Sequence, residues 1–364
     1  MKKGLVIGYM SGNFGDDLFF SILFRRYPSV EFYFFPPSVL LKRYKKTFRK
    51  YKNVKFYDNT QEFKEASLDI DYTKTDVNLF PLILKKAEEV DFYINIGGSI
   101  FMEKYTSVDD DRFKIKKAIG DKPSFILGCN FGPASKEFTK KYKEWFKKFD
   151  DICFRDKHSL EYFPDLKNCR VASDVALLTP IKKNLMIRKD NNVAISVYDL
   201  RRNKEYNKYY DNYIDYLVRL IKYLQEKKYT VNLFSFCELD GDLESINDIM
   251  KKLDKKERIR IINYTGDIDK FLLEWQKNKY VIGTRFHASI LALRFNQSFI
   301  PISYNEKTDN YFKEIDDNIR VLQVNSLDKY NISSLVFNNV IANYNPEIQF
   351  KVLDEYIGGK LWKN

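Results

Sequence analysis

Histidine is almost missing from this chain: there are two in 364 residues, His158 and His287. Cysteine is scarce as well, and the four present (Cys129, Cys153, Cys169 and Cys237) never form a CxxC pair. Together these shortages argue against a zinc site, which draws its ligands from closely spaced cysteine and histidine, so no metal is expected. Four scattered cysteines also suit a reduced, cytoplasmic protein better than a disulfide scaffold. Long apolar runs are missing too: none reaches the ~18 residues needed to span a bilayer. The opening MKKGLVIGYMSG carries two lysines, but its apolar run is short and broken by glycines. It reads as a first buried strand rather than a signal peptide. No solenoid-like repeat period and no long low-complexity segment occurs.

What is present is core material and positive charge. Apolar residues make up 44% of the chain and aromatics 16%, which places it among globular proteins. At this length two domains are expected rather than one core. The formal net charge is +12. Such a surplus suits nucleic acid, an anionic membrane surface or small anionic substrates. Stretches such as KKYKEWFKKF and IMKKLDKKERIR interleave lysines with acids instead of concentrating them in a nucleic-acid motif. No nucleic-acid partner is expected. Peripheral association with an anionic membrane is compatible with the charge, and so is an anionic substrate.

Along the chain, strand-like runs alternate with helical spacing. GLVIGYM leads to DDLFFSILFRRY, then SVEFYFF; DFYINIGGSI and PSFILGCNFGP are further buried strands, and DDICFRDKHSLEYF runs from a strand into a helix. The polar, charged IKKNLMIRKDNN after Pro180 reads as a linker. A second series follows, from NVAISVYD through TVNLFSFC, RIRIINY and YVIGT to SFIPISY. Alternation of this kind predicts parallel sheets covered by helices on both faces. The expected α/β architecture is two Rossmann-like domains facing across a cleft. They cover residues 1–182 and 183–344, and the tail 345–364 packs back on the first. Ligands of such sheets bind beyond the carboxyl ends of the strands, so the loops after strands are where chemistry is sought.

The first such loop is GYMSGNFGDD. Its glycines permit tight turns and close backbone approach, but it is not GxGxxG, so the dinucleotide fingerprint fails. Asn13, Asp16 and Asp17 stand at the entry to a helix. Carboxylates there would repel phosphate, which leaves sugar hydroxyls or general-base work for Asp16, or simply helix capping. Gly97 and Gly98, in NIGGS, let a ligand or a neighbouring loop approach the end of a buried strand. Arg155, in CFRDKHSL, offers a planar fork for a carboxylate or phosphate, or else pairs with an acid such as Asp156. His158 reads as an exposed helical residue. The sharpest feature is GTRFHAS: with Thr284 as the cap, Arg285 and His287 fall in a first helical turn, where free amides and the helix dipole favour an anion. A bound anion would favour the protonated imidazole, as a general acid needs. Lys307, in ISYNEK, brings another positive charge to the same sheet edge.

Taken in order, GNFGDD, INIGGS, LGCNFGP, FRDKHS, SDVALL, GTRFHASILAL and ISYNEK resemble the motifs of the polysaccharide pyruvyl transferase family. Two places depart from it: Ser99 stands where a third glycine is common, and Cys129–Phe131 differs from the commoner glutamine- and glycine-containing version. The resemblance implies a fold similar to GT-B glycosyltransferases. It implies transfer of pyruvate from phosphoenolpyruvate, as co-substrate and without a cofactor, to a sugar hydroxyl pair, giving a cyclic ketal. Arg155, Arg285 and Lys307 would hold phosphoenolpyruvate, and His287 would be the proton donor. Asp16 would orient or deprotonate the acceptor, with Asn13, Asp17, Gly97 and Gly98 in the loops around it. The first domain would take the acceptor and the second phosphoenolpyruvate. The acceptor would be a glycan or its lipid-linked precursor, and the enzyme would be cytoplasmic, at the inner face of the membrane. The alternative on the same two-domain pattern is a GT-B glycosyltransferase using a nucleotide sugar.

Overall fold

A computed structural model describes residues 1–56, 79–106, 110–181, 189–341 and 343–358. It divides into two compact units: Met1–Met10, Asp16–Val175 and the tail from Asn345 form the first, Ser11–Gly15 and Ala176–Tyr344 the second.

Among the described residues the first unit has seven parallel strands: β1 (Lys3–Ile7), β2 (Glu31–Phe34), β3 (Val54–Phe56), β4 (Phe92–Ile96), β5 (Ser124–Cys129), β6 (Asp151–Phe154) and β7 (Cys169–Val171). Their spatial order is β3-β2-β1-β4-β5-β6-β7. Every residue of β4 and β5 is buried, as expected of strands covered on both faces. Aromatic side chains fill much of the space under the helices. Phe20 and Phe24 of the helix Phe14–Arg26 pack on Phe34 and Phe48, for example. The described residues of the second unit form six parallel strands: β8 (Lys189–Val197), β9 (Thr230–Ser235), β10 (Ile259–Asn263), β11 (Asn278–Gly283), β12 (Ser298–Ser303) and β13 (Leu322–Gln323), in the order β10-β9-β8-β11-β12-β13. Its largest helix, Tyr210–Glu226, buries a continuous stripe from Tyr213 to Leu224 against the sheet. The strand order reverses between β1 and β4 in one sheet and between β8 and β11 in the other. These are the switch points at which open α/β sheets bind ligands.

Two parts of the division differ from the sequence reading. The boundary falls between Val175 and Ala176 rather than after residue 182. The pentapeptide Ser11–Gly15 also groups with the second unit, although it follows β1. The cause is Phe14, which is fully buried among Phe236, Tyr264 and Phe271, with ring centroids 5.4, 5.1 and 4.5 Å away. Its amide also donates to the Phe236 carbonyl at 3.0 Å. Residues 182–188 of the expected linker lie outside the described residues, and Lys189–Asn192 already belong to β8.

The tail belongs to the first unit and is held there by buried polar contacts. Arg26 donates to Asp354 through Nε (2.9 Å) and Nη2 (2.6 Å), and through Nη1 to Glu347 (2.6 Å). Gln349, fully buried, accepts from the Gly128 amide (3.0 Å) and donates to the carbonyls of Phe154 (3.1 Å) and Ala172 (3.0 Å). One tail side chain thus fastens the ends of β5, β6 and β7 together.

Candidate functional site

In the first unit the strand-end motifs converge on Arg155. The residue follows β6 directly and is 3% exposed, and its amide donates to the Cys129 carbonyl at 2.8 Å. Its Nη1 pairs with Asp174 at 3.0 Å, and its Nη2 donates to Asn130 Oδ1 at 2.7 Å and to Ser99 Oγ at 3.4 Å. Gly98 makes the approach possible: a Cβ there would lie 2.8 Å from Nη1. Asp156 is not the partner of Arg155. Its carboxylate caps the short helix Lys157–Glu161, accepting from the Ser159 amide (2.8 Å) and hydroxyl (2.7 Å). Gly97 lies beside Gly98, its amide donating to the Leu127 carbonyl. His158 stands apart on the surface, 3.3 Å from Glu161.

The second cluster surrounds the start of the helix Phe286–Arg294, at the β8/β11 switch point. The N-cap is Arg285 (φ −73°, ψ 132°) rather than Thr284 as the spacing predicted. Thr284 is drawn one residue outside the helix because its amide donates to Ser196 Oγ (2.9 Å) and its hydroxyl bonds Tyr213 (3.0 Å). His287 keeps its place in the first turn. Its imidazole lies against the GNFG loop: a Cβ on Gly15 would be 1.9 Å from Nδ1 and 2.5 Å from Cε1. Gly15 is therefore required by the ring that it faces. Asn13 secures that turn, its Oδ1 accepting from the Gly15 amide at 2.8 Å. Asp16 and Asp17 open the following helical turn; Asp16 is half-buried and Asp17 fully buried. Lys307 is the second residue of the next helix, Glu306–Ile315, and places its ammonium 5.2 Å from the centre of the Phe286 ring.

Arg285 is more heavily engaged than a bare anion cradle. Its Nε and Nη2 contact Asp242 at 3.0 and 2.5 Å, and its Nη1 contacts Asp240 at 2.9 Å. Its guanidinium lies 4.4 Å from the Tyr198 ring, which stacks on Tyr304 at 4.5 Å and 16°. Burial by itself would lower the Arg285 pKa, but Asp242 and then Asp240 hold it well above the ordinary value. Burial pushes the Asp242 carboxyl above its usual range, and Arg285 offsets that only in part. Burial also pushes Tyr304 up to about 12.

The sequence reading does not single out the partner acids Asp174, Asp240 and Asp242, the polar pair Ser99 and Asn130 or the stacked tyrosines as site residues. Asp174 sits in SDVALL and Tyr304 in ISYNEK, so motif membership was an available signal for both. Asp240 offered none beyond its place in the loop after β9, and Asp242 none beyond its place at the start of the helix Asp242–Lys252. Cysteine chemistry is disfavoured: all four thiols are buried, and burial pushes Cys153, Cys169 and Cys237 up to about 12. Among the described residues no group of three or more His, Cys, Asp or Glu is placed to hold a metal ion.

With this geometry in hand, comparison with known proteins is decisive at the family level. The model of the family described as "Polysaccharide pyruvyl transferase" matches residues 13–306. The chain belongs to the polysaccharide pyruvyl transferase family. The match begins at Asn13, spans Gly15, Arg155, Arg285 and His287, and stops one residue short of Lys307. A curated relative is the amylovoran biosynthesis protein AmsJ of Erwinia amylovora. It is 23% identical over 283 residues, 71% of this chain and 67% of that protein. Among solved structures this pyruvyl transferase family member is similar to the UDP-GlcNAc 2-epimerase of Methanocaldococcus jannaschii, with a TM-score of 0.59 and 11% identity over 99% of this chain and 100% of the other. HepE of Anabaena gives a TM-score of 0.53 at 10% identity, covering 98% of both chains. At such identities the likeness concerns the fold alone, which is of the GT-B type. As a member of the family, the protein is a transferase of polysaccharide biosynthesis.

Proposed function

We propose that the protein transfers the pyruvyl group of phosphoenolpyruvate to two hydroxyls of one sugar in a cell-surface glycan or its lipid-linked precursor, forming a cyclic ketal. The observation that carries this reading is the family match over residues 13–306, which takes in the arginine–histidine pair at the β8/β11 switch point. His287 protonates the methylene carbon of the enol phosphate, leaving an oxocarbenium-like centre. The first sugar hydroxyl attacks that carbon, phosphate leaves, and the second hydroxyl closes the ring. The two hydroxyl protons reappear as the third hydrogen of the methyl group and the proton of hydrogen phosphate, and the two methylene hydrogens stay on their carbon, so the reaction balances without a redox partner or cofactor. Arg155, Arg285 and Lys307 hold the anionic donor and stabilise the departing phosphate. Asp16 orients or deprotonates the acceptor.

The same reading places the enzyme in the cytoplasm, at the inner face of the membrane. It is supported by the solvent side of the helix Leu41–Thr47 and the turn after it. No acidic residue occurs between Glu31 and Asp58, and Val39, Lys42, Lys46 and Arg49 are exposed at three- and four-residue intervals. No helix of the described residues is long and apolar enough to cross a membrane.

The test is incubation with phosphoenolpyruvate and a panel of lipid-linked and nucleoside-linked glycans in D2O. The expected result is release of inorganic phosphate and an acid-labile pyruvylated sugar whose methyl group carries one deuterium. Stabilisation by a nucleotide sugar, with none by phosphoenolpyruvate and no turnover, would move the assignment to a GT-B glycosyltransferase.

A further inference from the structure

Arg285 stands in a network that splits into a fixed half and an exposed half. On the fixed side Asp242 is fully buried, and besides Arg285 its carboxylate accepts the amides of Phe236 (2.9 Å) and Cys237 (3.0 Å). Tyr198 covers one face of the guanidinium, and the Arg285 amide is anchored on Ser196 Oγ at 3.1 Å. These contacts leave the guanidinium little freedom to turn. On the other side Nη1 meets Asp240, whose side chain keeps 32% of its surface exposed against none for Asp242. Among the described residues Asp240 pairs with Arg285 alone. It lies in a tight surface turn closed by the Gly241 amide on the Glu238 carbonyl at 3.0 Å, with Gly241 in the left-handed region (φ +82°) and Leu239 58% exposed.

The local charge is the difficulty. One guanidinium faces two carboxylates, so an anion approaching Arg285 meets a net negative group. A phosphate with about −1.5 to −2 charges cannot be added favourably to that arrangement. It can only be exchanged into it. An edge of a buried guanidinium left without an acceptor is costly, and at the Nη1 edge that acceptor is Asp240.

We infer that Asp240 is an exchangeable stand-in for the anionic group of the donor: it occupies the Nη1 edge of Arg285 in the free enzyme and leaves when a phosphate or carboxylate ligand arrives. Asp242 holds the guanidinium in place throughout and is a positioning residue. The exchange makes Asp240 a specificity-determining residue, because only a ligand that outcompetes a tethered carboxylate gains the site. The inference rests on Arg285 as the donor-binding arginine and adds the competitor that donor binding must overcome.

The experiment is titration calorimetry of the full chain with phosphoenolpyruvate, inorganic phosphate and pyruvate, for wild type, Asp240→Asn, Asp240→Ala and Asp242→Asn. Melting curves establish that each variant is folded. Removing a unit negative charge about 4 Å from the bound anion is worth at least about a fivefold gain in affinity even in water. Both Asp240 variants should therefore bind at least fivefold tighter, and their KM for phosphoenolpyruvate should fall without a rise in kcat. Asp242→Asn should bind more weakly. The phosphate and pyruvate arms identify which group of the donor takes the Nη1 edge. Equal or weaker binding in both Asp240 variants overturns the proposal, as does tighter binding in Asp242→Asn or failure of any anion to bind any of the proteins. Should phosphoenolpyruvate alone fail while phosphate binds and responds to Asp240, the pyruvyl-transfer reading falls and the exchange stands.

Discussion

A methyl group on Gly15 cannot coexist with the imidazole of His287, since the two would lie 1.9 Å apart. One of them must move, and the glycine sits in a turn pinned by Asn13 and by the buried Phe14 ring. Gly15→Ala is therefore expected to displace His287, the proposed proton donor, while leaving the arginines untouched. A shift of about 1 Å at a reacting group can lower kcat about 100-fold, and loss of a general acid altogether costs about 10²–10⁴. The variant should fall in that range and remain folded, with near-normal binding of phosphoenolpyruvate by calorimetry. A Gly15→Ala enzyme with wild-type kcat would show that His287 does not act from this position. At this scale the sequence was informative about identities and weak on partners. His287 and Arg285 stood out because histidine is rare and the pair follows a strand. Their environment was hidden because it is assembled at long range: Arg155 meets Asp174, 19 residues on, and Arg285 meets Asp242, 43 residues back. A buried guanidinium must find an anion, so the need for partners was legible where their identity was not.

The elements were more readable, because a doubly wound sheet repeats one pattern. Each quoted strand run appears as a strand, and the candidate site residues follow the carboxyl ends of strands, where that topology binds ligands. What the pattern could not reveal is that the loop after β1 packs with the other unit, since one phenylalanine in GNFG decides it. Nor does net charge reveal where the cations cluster. The helix Leu41–Thr47 turns Tyr44 and Thr47 inward and Lys42 and Lys46 outward, with Phe48 and Arg49 continuing the two sides. Eight cations, Lys42, Arg43, Lys45, Lys46, Arg49, Lys50, Lys52 and Lys55, fall in this acid-free stretch. Each cation near an anionic membrane contributes about 1 kcal/mol of attraction. Reversing Lys42, Lys46 and Arg49 to Glu should lower partitioning onto vesicles containing anionic lipid by at least about 100-fold, with no change on neutral vesicles and unaltered turnover of a soluble acceptor. Flotation assays at moderate salt measure this. Unchanged partitioning would detach the membrane from this helix.

Across the whole chain, the segment most distant in sequence from the motifs supports one of their clusters. Gln349 satisfies backbone groups at the ends of β5, β6 and β7, the strands that present Asn130, Arg155 and Asp174. The tail is retained by the Arg26–Asp354 pair, in which both side chains are largely buried (6% and 11% exposed) and Tyr27 adds a third hydrogen bond at 2.7 Å. Breaking a buried pair by deleting one partner leaves an uncompensated charge and typically costs about 3–5 kcal/mol. Arg26→Ala should therefore lower the stability of the first unit by about 3 kcal/mol, and the second unit should unfold at its wild-type denaturant concentration. Urea unfolding followed by hydrogen exchange reports on the two units separately. A double change, Arg26→Met with Asp354→Leu, removes both charges together. It should recover much of the loss, since an apolar replacement of a buried pair is often neutral. Were Arg26→Ala to stay within about 0.5 kcal/mol of wild type, as surface substitutions do, the pair would not be what retains the tail. Gln349 would then have to hold the strand ends by itself.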